Sequence, residues 1–137
     1  MILVDTSVIV DFLRNRQTAQ TIVLDDILGK KLPWGINEYI YQEVLQGAKD
    51  ENEFEKLKEY FETIPFYFLK FGKESFEKAS MMNVQCRKSG VTIRSTIAFL
   101  IAETAIENDI LLLHSDSDFD NLGRVIRDLR QYGEKII

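Results

Sequence analysis

An α/β fold built on a parallel sheet is the class this sequence predicts, on three observations. Two apolar runs, Ile2-Leu3-Val4 and Ile110-Leu111-Leu112-Leu113, end in acidic residues: Asp5 after the first, Asp116 and Asp118 after the second. Short β-type runs alternate with stretches of helical spacing, the order that yields a parallel sheet with helices on both faces. No linker, repeat or low-complexity tract breaks the 137 residues, so one domain over 1–137 is expected.

Ile2–Val4 is the first strand, and Val8, Ile9, Phe12 and Leu13 then recur at helical spacing, with Asp5, Thr6 or Ser7 able to cap that helix. A second helix runs from Thr18 to about Lys30 on Ile22, Val23, Ile27 and Leu28, with Gly29 near its end. Leu32–Ile36 reads as a second strand, with Pro33 at its start or edge because proline has no N–H to give. Asn37 caps a third helix to about Ala48, and Asp50 with Glu53 opens a fourth on Phe54, Leu57, Phe61 and Ile64. Pro65 ends it, and Phe66–Phe71 reads as a third strand. Lys73 to about Ser89 is helical and stops at Gly90. Thr92 to Glu107 is helical around the apolar Ile97–Ala102, and Asn108-Asp109 turns into the strand Ile110–Leu113. Beyond Phe119 the pattern suits either a helix on Leu122, Val125, Ile126 and Leu129 or a short strand near Leu129–Tyr132.

Composition narrows the function classes. With 45% hydrophobic and 28% charged residues the profile is that of a globular domain. No apolar run reaches the roughly 18 residues of a membrane span. The opening Met-Ile-Leu-Val-Asp lacks a basic region and reads as a strand, so no signal peptide is expected. Cys86 is the single cysteine, which excludes an internal disulfide and fits the reducing cytoplasm. His114 is the single histidine, so a Cys/His zinc site lacks ligands. A net charge of −5 makes a poor scaffold for long nucleic-acid backbones, although bound divalent metal inverts local charge.

In parallel sheets ligands bind beyond the carboxyl ends of the strands, and Asp5 and Asp116 both fall at that edge. Hydrolysis of a phosphodiester by divalent metal needs carboxylates converging on one point. Glu43 is the candidate acid from a helix: it lies about 60° outside the stripe of Ile40, Tyr41, Val44, Leu45 and Ala48, at a boundary facing a crevice. Each residue has a plainer reading. Asp5, Ser117 or Asp118 can be helix caps, and Glu43 a solvated helix residue. The set is more specific than its members.

With those residues in place, the sequence resembles the PIN-domain family, and within it the VapC-type toxins of toxin–antitoxin pairs. The resemblance spans nearly the whole chain. It rests on Ile-Leu-Val-Asp5-Thr-Ser-Val-Ile, Asn37-Glu-Tyr-Ile-Tyr-Gln-Glu43-Val-Leu-Gln-Gly47, Gly90-Val-Thr-Ile-Arg-Ser-Thr-Ile-Ala98 and Leu111-Leu-Leu-His-Ser-Asp116-Ser-Asp118-Phe119. It implies a PIN fold, Mg²⁺- or Mn²⁺-dependent ribonuclease activity on RNA, a homodimer, and a VapB-type antitoxin partner. It implies metal-site roles for Asp5, Glu43 and Asp116. Asp118 is the second acid of the closing motif, placed with the metal acids in a supporting role. Thr6 or Ser7 matches a hydroxyl that holds a carboxylate or water.

One position departs from the pattern. Ala98 stands where the family carries an aspartate, so the expected catalytic set Asp5, Glu43, position 98 and Asp116 lacks one ligand. Two explanations apply: a packing residue in a naturally altered protein, or a deliberate replacement that silences a toxic enzyme. The intact flanking motif favours the second. Either way, the nuclease is expected to be disabled.

Arg94 is expected either to contact substrate phosphate or to pair with Asp116 or Glu43. His114 reads as a hydrogen-bonded structural residue before a general base, and Cys86, Met81 and Met82 as helix packing. The charged stretch Asp50–Glu62 reads as a solvated face. Phe12, Leu13 and Tyr39 fit an antitoxin groove or the core equally. Two rivals remain: a non-catalytic binding module that keeps the fold, and a phosphotransfer or receiver domain. The latter expects Asp-x-Asp after the first strand, or paired acids there with a distal Lys-Pro, whereas this chain has Asp5-Thr6-Ser7 and only Pro33 and Pro65.

Overall fold

The computed structural model describes residues 1–133. The expected domain end at residue 137 lies outside them. Three parallel strands form the sheet among the described residues, in the order β2-β1-β3. They are β1 (Ile2–Val4), β2 (Trp34–Gly35) and β3 (Leu111–Leu113). The central strand β1 is buried along its whole length, as its unbroken apolar sequence requires. It pairs Ile2 with Trp34 on one side and Ile2, Leu3 and Val4 with Leu111, Leu112 and Leu113 on the other.

Among the described residues seven helices connect and cover these strands: α1 (Thr6–Leu13), α2 (Ala19–Gly29), α3 (Glu38–Gln46), α4 (Glu51–Phe61), α5 (Lys73–Lys88), α6 (Thr96–Glu107) and α7 (Ser117–Val125). Helix α1 packs on α2 and α3, α3 on α4, α5 on α6, and α6 on α7, while α3 also meets α6. The starts of these helices follow from short polar residues. The side chains of Asp5, Thr18, Asn37, Asp50 and Asp116 each accept a backbone N–H in the first turn of α1, α2, α3, α4 and α7. One core joins the sheet to both helix groups through Leu3, Val4, Val8, Ile27, Ile36, Ile40, Leu112 and Leu122.

The structure corrects four expectations. The strand expected over Leu32–Ile36 is only Trp34–Gly35. The strand expected over Phe66–Phe71 is a single bridge between Ile36 and Phe66. Beyond that bridge the backbone finds partners at the end of α6 instead. Lys70 N–H donates to Glu107 Oε1 at 2.7 Å, and Asn108 Nδ2 donates to Phe68 O at 3.0 Å. Gly35 makes the bridge possible, since a Cβ there would collide with Pro65 O and the Tyr67 ring. Helix α6 begins at Thr96 rather than Thr92, because the Arg94 N–H is turned to Asp118 Oδ2. Arg94 and Ser95 therefore precede the helix that carries Ala98, Ala102 and Ala105. Met81 is 53% exposed, whereas Met82 and Cys86 are buried as expected. Beyond Phe119 neither alternative holds in full: α7 ends at Val125, short of Ile126 and Leu129, and a single bridge from Gln131 to Leu112 stands where a strand was the other option.

Candidate functional site

The carboxyl edge of the sheet gathers the sequence-predicted residues. Asp5 follows β1 directly, and its N–H donates to Leu113 O at 2.9 Å, which levels it with the end of β3. A cavity of about 200 Å³ opens there, lined by Asp5, Thr6, Ser7, Glu43, Ser95, Ala98 and Asp116, with Ile97, Ile101 and Phe119 as its apolar wall. Larger clefts exist: about 410 Å³ bordered by Val10, Leu13, Val44 and Leu57, and about 480 Å³ beside Phe12, Leu13 and Ile22. Neither gathers three carboxylates, so chemistry rather than size distinguishes the small cavity.

Each acid is held by a donor from another residue. Ser7 gives both its N–H (3.1 Å) and its hydroxyl (2.6 Å) to Asp5 Oδ2. Ser7 Oγ also accepts Ser115 N–H at 3.0 Å, which ties the start of α1 to the segment after β3. Thr6 Oγ1 donates to Glu43 Oε1 at 3.0 Å, so α3 presents its acid to the first-strand loop. Asp116 Oδ1 caps α7 by accepting Asp118 N–H at 2.9 Å. Both hydroxyl residues are therefore used, where the sequence left Thr6 and Ser7 as alternatives.

The electrostatics are those of crowded like charges. Burial pushes the Asp5 carboxyl up, and the two Ser7 bonds only partly oppose it. Glu43 is pushed up as well, first by burial and then by the negative charges of Asp5 and Asp116, against the Thr6 bond. A site that raises the cost of its own anions gains most from a cation. The donors are hard oxygens of the kind Mg²⁺ and Mn²⁺ take, often with water completing the shell. The set is nonetheless incomplete: among the described residues no three His, Cys, Asp or Glu side chains converge closely enough to form a ligand group. Ala98, 3% exposed, occupies the stretch of wall contributed by α6 and offers no donor.

Asp118, expected with the metal acids, is not among the residues lining the cavity. It is 3% exposed, and its carboxylate accepts Arg94 N–H at 3.3 Å and Arg94 Nε at 3.4 Å. Arg94 stands 4.0 Å from Asp116, with its side chain 73% exposed. Of the two acids offered to it by the sequence, Asp116 is the one within range, and its main partner is a third, Asp118. His114 is a packed side chain: its Nδ1 accepts Asp116 N–H at 3.2 Å, and its other nitrogen faces Gln131. Phe12, Leu13 and Tyr39 are each half-buried. Sequence reasoning missed Ser95 and Ser115. The first was hidden by drawing α6 one turn too long, and the second acts through its backbone N–H, which carries no side-chain signal.

A sequence model of the PIN domain matches residues 2–125. VapC ribonuclease Mb1587 of Mycobacterium bovis and ribonuclease VapC11 of Mycobacterium tuberculosis are each 29% identical over 126 residues, which cover 91% of this chain and 93% of theirs. The fold is similar to that in VapBC2 from Rickettsia felis bound to a promoter DNA fragment, at TM-score 0.70, 18% identity and coverage of 96% of this chain and 97% of that one. It is similar also to VapBC-1 from nontypeable Haemophilus influenzae, at TM-score 0.71, 18% identity and 96% coverage of each. With a family match over nearly its whole length and the same parallel α/β fold, the chain belongs to the PIN-domain family, and its resemblance within that family is to the VapC ribonucleases.

Proposed function

We propose that this chain is the toxin of a VapBC-type pair, a metal-dependent endoribonuclease whose site is disabled by Ala98. The observation that carries the reading is the position of Ala98 on the wall of the cavity lined by Asp5, Glu43 and Asp116. An acid there would add a fourth carboxylate to the lining of this cavity. Asp5, Glu43 and Asp116 would hold Mg²⁺ or Mn²⁺ in the intact site. Such an ion lowers the pKa of an attacking water and neutralises charge on the scissile phosphate.

The chain's own residues prepare that chemistry. Ser7 orients Asp5 and Thr6 orients Glu43, so neither acid spends binding energy on finding its rotamer. Asp118 steadies Arg94, whose exposed guanidinium is available to a phosphate oxygen beside Asp116. The cleft bordered by Val10, Leu13, Val44 and Leu57 suits an apolar stretch of a VapB-type antitoxin, and Arg14, Lys49 and Glu53 at its rim suit charged partners. A homodimer and a cytoplasmic setting complete the reading. Among the described residues, no helix is long and apolar enough to cross a membrane.

A second reading, favoured by the same Ala98, is a naturally inactive PIN-fold module that binds antitoxin without cutting RNA. One comparison separates them: cleavage of a mixed RNA panel by this chain and by its Ala98→Asp form, with Mn²⁺ and with chelator. The disabled-nuclease reading expects no cleavage by the first and a gain of about a hundredfold or more by the second, lost on chelation. An Ala98→Asp protein that binds Mn²⁺ yet leaves every RNA intact would point to the binding module.

A further inference from the structure

Gln131 lies beyond residues 2–125 that match the family, yet its side chain reaches His114, whose ring accepts the Asp116 N–H. A short bridge fixes its backbone: Leu112 N–H donates to Arg130 O at 2.9 Å, and Tyr132 N–H donates to Leu112 O at 2.8 Å. From there the carboxamide spans two elements. Its Oε1 faces His114 Nε2, just past β3, and its Nε2 donates to Phe119 O in α7 at 3.4 Å.

The pattern of donors fixes the imidazole. A backbone N–H can only donate, so the nitrogen that receives Asp116 N–H, Nδ1, carries no proton. The ring proton of neutral His114 therefore sits on Nε2 and goes to Gln131 Oε1. The carboxamide orientation follows from the same rule, because Phe119 O can only accept. Asp120 Oδ1 stands 3.7 Å from Nε2, beyond hydrogen-bonding distance, which leaves Gln131 as the acceptor. Gly123 in α7 leaves the room: a Cβ there would overlap the Gln131 amide nitrogen.

We propose that Gln131 is a positioning residue of the site: it holds His114 as the Nε2–H tautomer, which keeps Asp116 N–H bonded and fixes the Asp116 carboxylate at the head of α7. The proposal rests on the reading of Asp116 as a site acid. It also explains why a carboxamide outside the family match is packed against a helical glycine.

The single histidine makes the test unambiguous, since one imidazole gives one pair of nitrogen resonances. In the full chain, ¹⁵N NMR is expected to show protonated Nε2 and bare Nδ1. Gln131→Met should move both nitrogen shifts toward a tautomer mixture and speed hydrogen exchange at the Asp116 amide by about tenfold. Gly123→Ala should do the same by displacing the carboxamide, although alanine is the better helix former. A protein that had merely lost stability would not combine these results. In an Ala98→Asp background, Gln131→Met should lower kcat for RNA by about tenfold with KM unchanged, the size of effect expected of an outer support. A protonated Nδ1 in the unsubstituted chain overturns the proposal. So do unchanged shifts in Gly123→Ala, or an unchanged kcat in an active background. If the Ala98→Asp background cuts no RNA while the tautomer and exchange results hold, the positioning role stands and the ribonuclease reading fails.

Discussion

Helix α6 carries an acid cluster at each end, and the two are built on opposite principles. At its start, Asp5, Glu43 and Asp116 surround Ala98 across an open cavity, each held by a hydroxyl or amide donor. At its end, Glu103 and Glu107 are closed on each other. Glu103 is 3% exposed and is pushed up to about 8, first by burial and then by the bond to and charge of Glu107. Glu107 is drawn below the usual carboxylate range despite burial, by the proton of Glu103 and by bonds from Lys70 N–H and Ser75. Its Oε2 is buried with no hydrogen-bond partner among the described residues, and a proton carried by Glu103 would satisfy it. The contrast teaches that acidity alone does not make a metal site. A cluster satisfied by its own proton and by backbone donors is structural. One whose anions crowd an open cavity with an incomplete shell is where a cation has something to gain.

The largest effect should come from adding an acid at the open end. Two carboxylates about 4 Å apart repel by about 4 kcal/mol at an effective dielectric near 20. Ala98→Asp is therefore expected to be less stable than the present chain in chelator, by about 2–4 kcal/mol. Mn²⁺ should return much of that, about 2.7 kcal/mol at a hundred times its Kd. Urea unfolding across a Mn²⁺ titration measures both. A variant equally stable with and without Mn²⁺ would remove the distinction between the two ends.

At the closed end the lever is pH. Glu103 has a folded pKa near 8 against 4.5 for the free side chain, so the folded state keeps a proton that the unfolded chain releases. Stability from this residue is full below about 4.5 and is lost as pH rises through 8, with a slope of at most about 1.4 kcal/mol per pH unit. The lowered Glu107 works in the opposite sense but loses its contribution only as pH falls below about 4.5, so between pH 5 and 8 Glu103 sets the profile and stability should fall by at most about 4 kcal/mol. Glu103→Gln supplies a permanent donor to Glu107 Oε2. It should flatten the profile and gain about 1–2 kcal/mol at pH 8, near the value of a hydrogen bond to a charged group. Parallel unfolding profiles for the two proteins would mean that no shared proton closes this cluster.

The two ends were not equally legible in the sequence. Asp5 and Asp116 announce themselves because apolar runs stop at them, and Glu43 because it sits beside a helical stripe. Ala98 is informative only against the family pattern. Glu103 and Glu107 share a helix face at i, i+4 spacing, but nothing local says that Glu103 is buried; the packing of α5 on α6 accompanies that burial, and the Lys70 N–H engages Glu107. The same long-range docking explains the missing strand at Phe66–Phe71. Its aromatic residues promise β structure, yet beyond Tyr67 its backbone is held by side chains: Glu107 accepts Lys70 N–H, Ser75 accepts Phe71 N–H and Asn108 donates to Phe68 O. Gln131 was invisible for a similar reason, since a carboxamide has no periodicity and its partner His114 is 17 residues away.

The smallest effect should separate how the two ends hold an acid. At the open end Asp118 is served by Arg94, a side chain 73% exposed, at 3.4 Å. At the closed end the half-buried Glu107 is served by neutral donors, the Lys70 N–H and the Ser75 hydroxyl, whose bonds salt does not screen. An exposed cation is screened, and the Arg94 N–H stays on Asp118 whatever the side chain. Arg94→Ala should thus cost no more than about 1 kcal/mol at low salt and still less in 1 M NaCl. Glu107→Ala, which strands the Lys70 N–H and Ser75, should cost more and be indifferent to salt. Chemical denaturation of both variants at two salt concentrations decides the matter. A salt-independent loss of about 3 kcal/mol or more for Arg94→Ala would make the Arg94–Asp118 pair as closed as the glutamate pair, and the two ends of α6 would then differ only in the cavity beside Ala98.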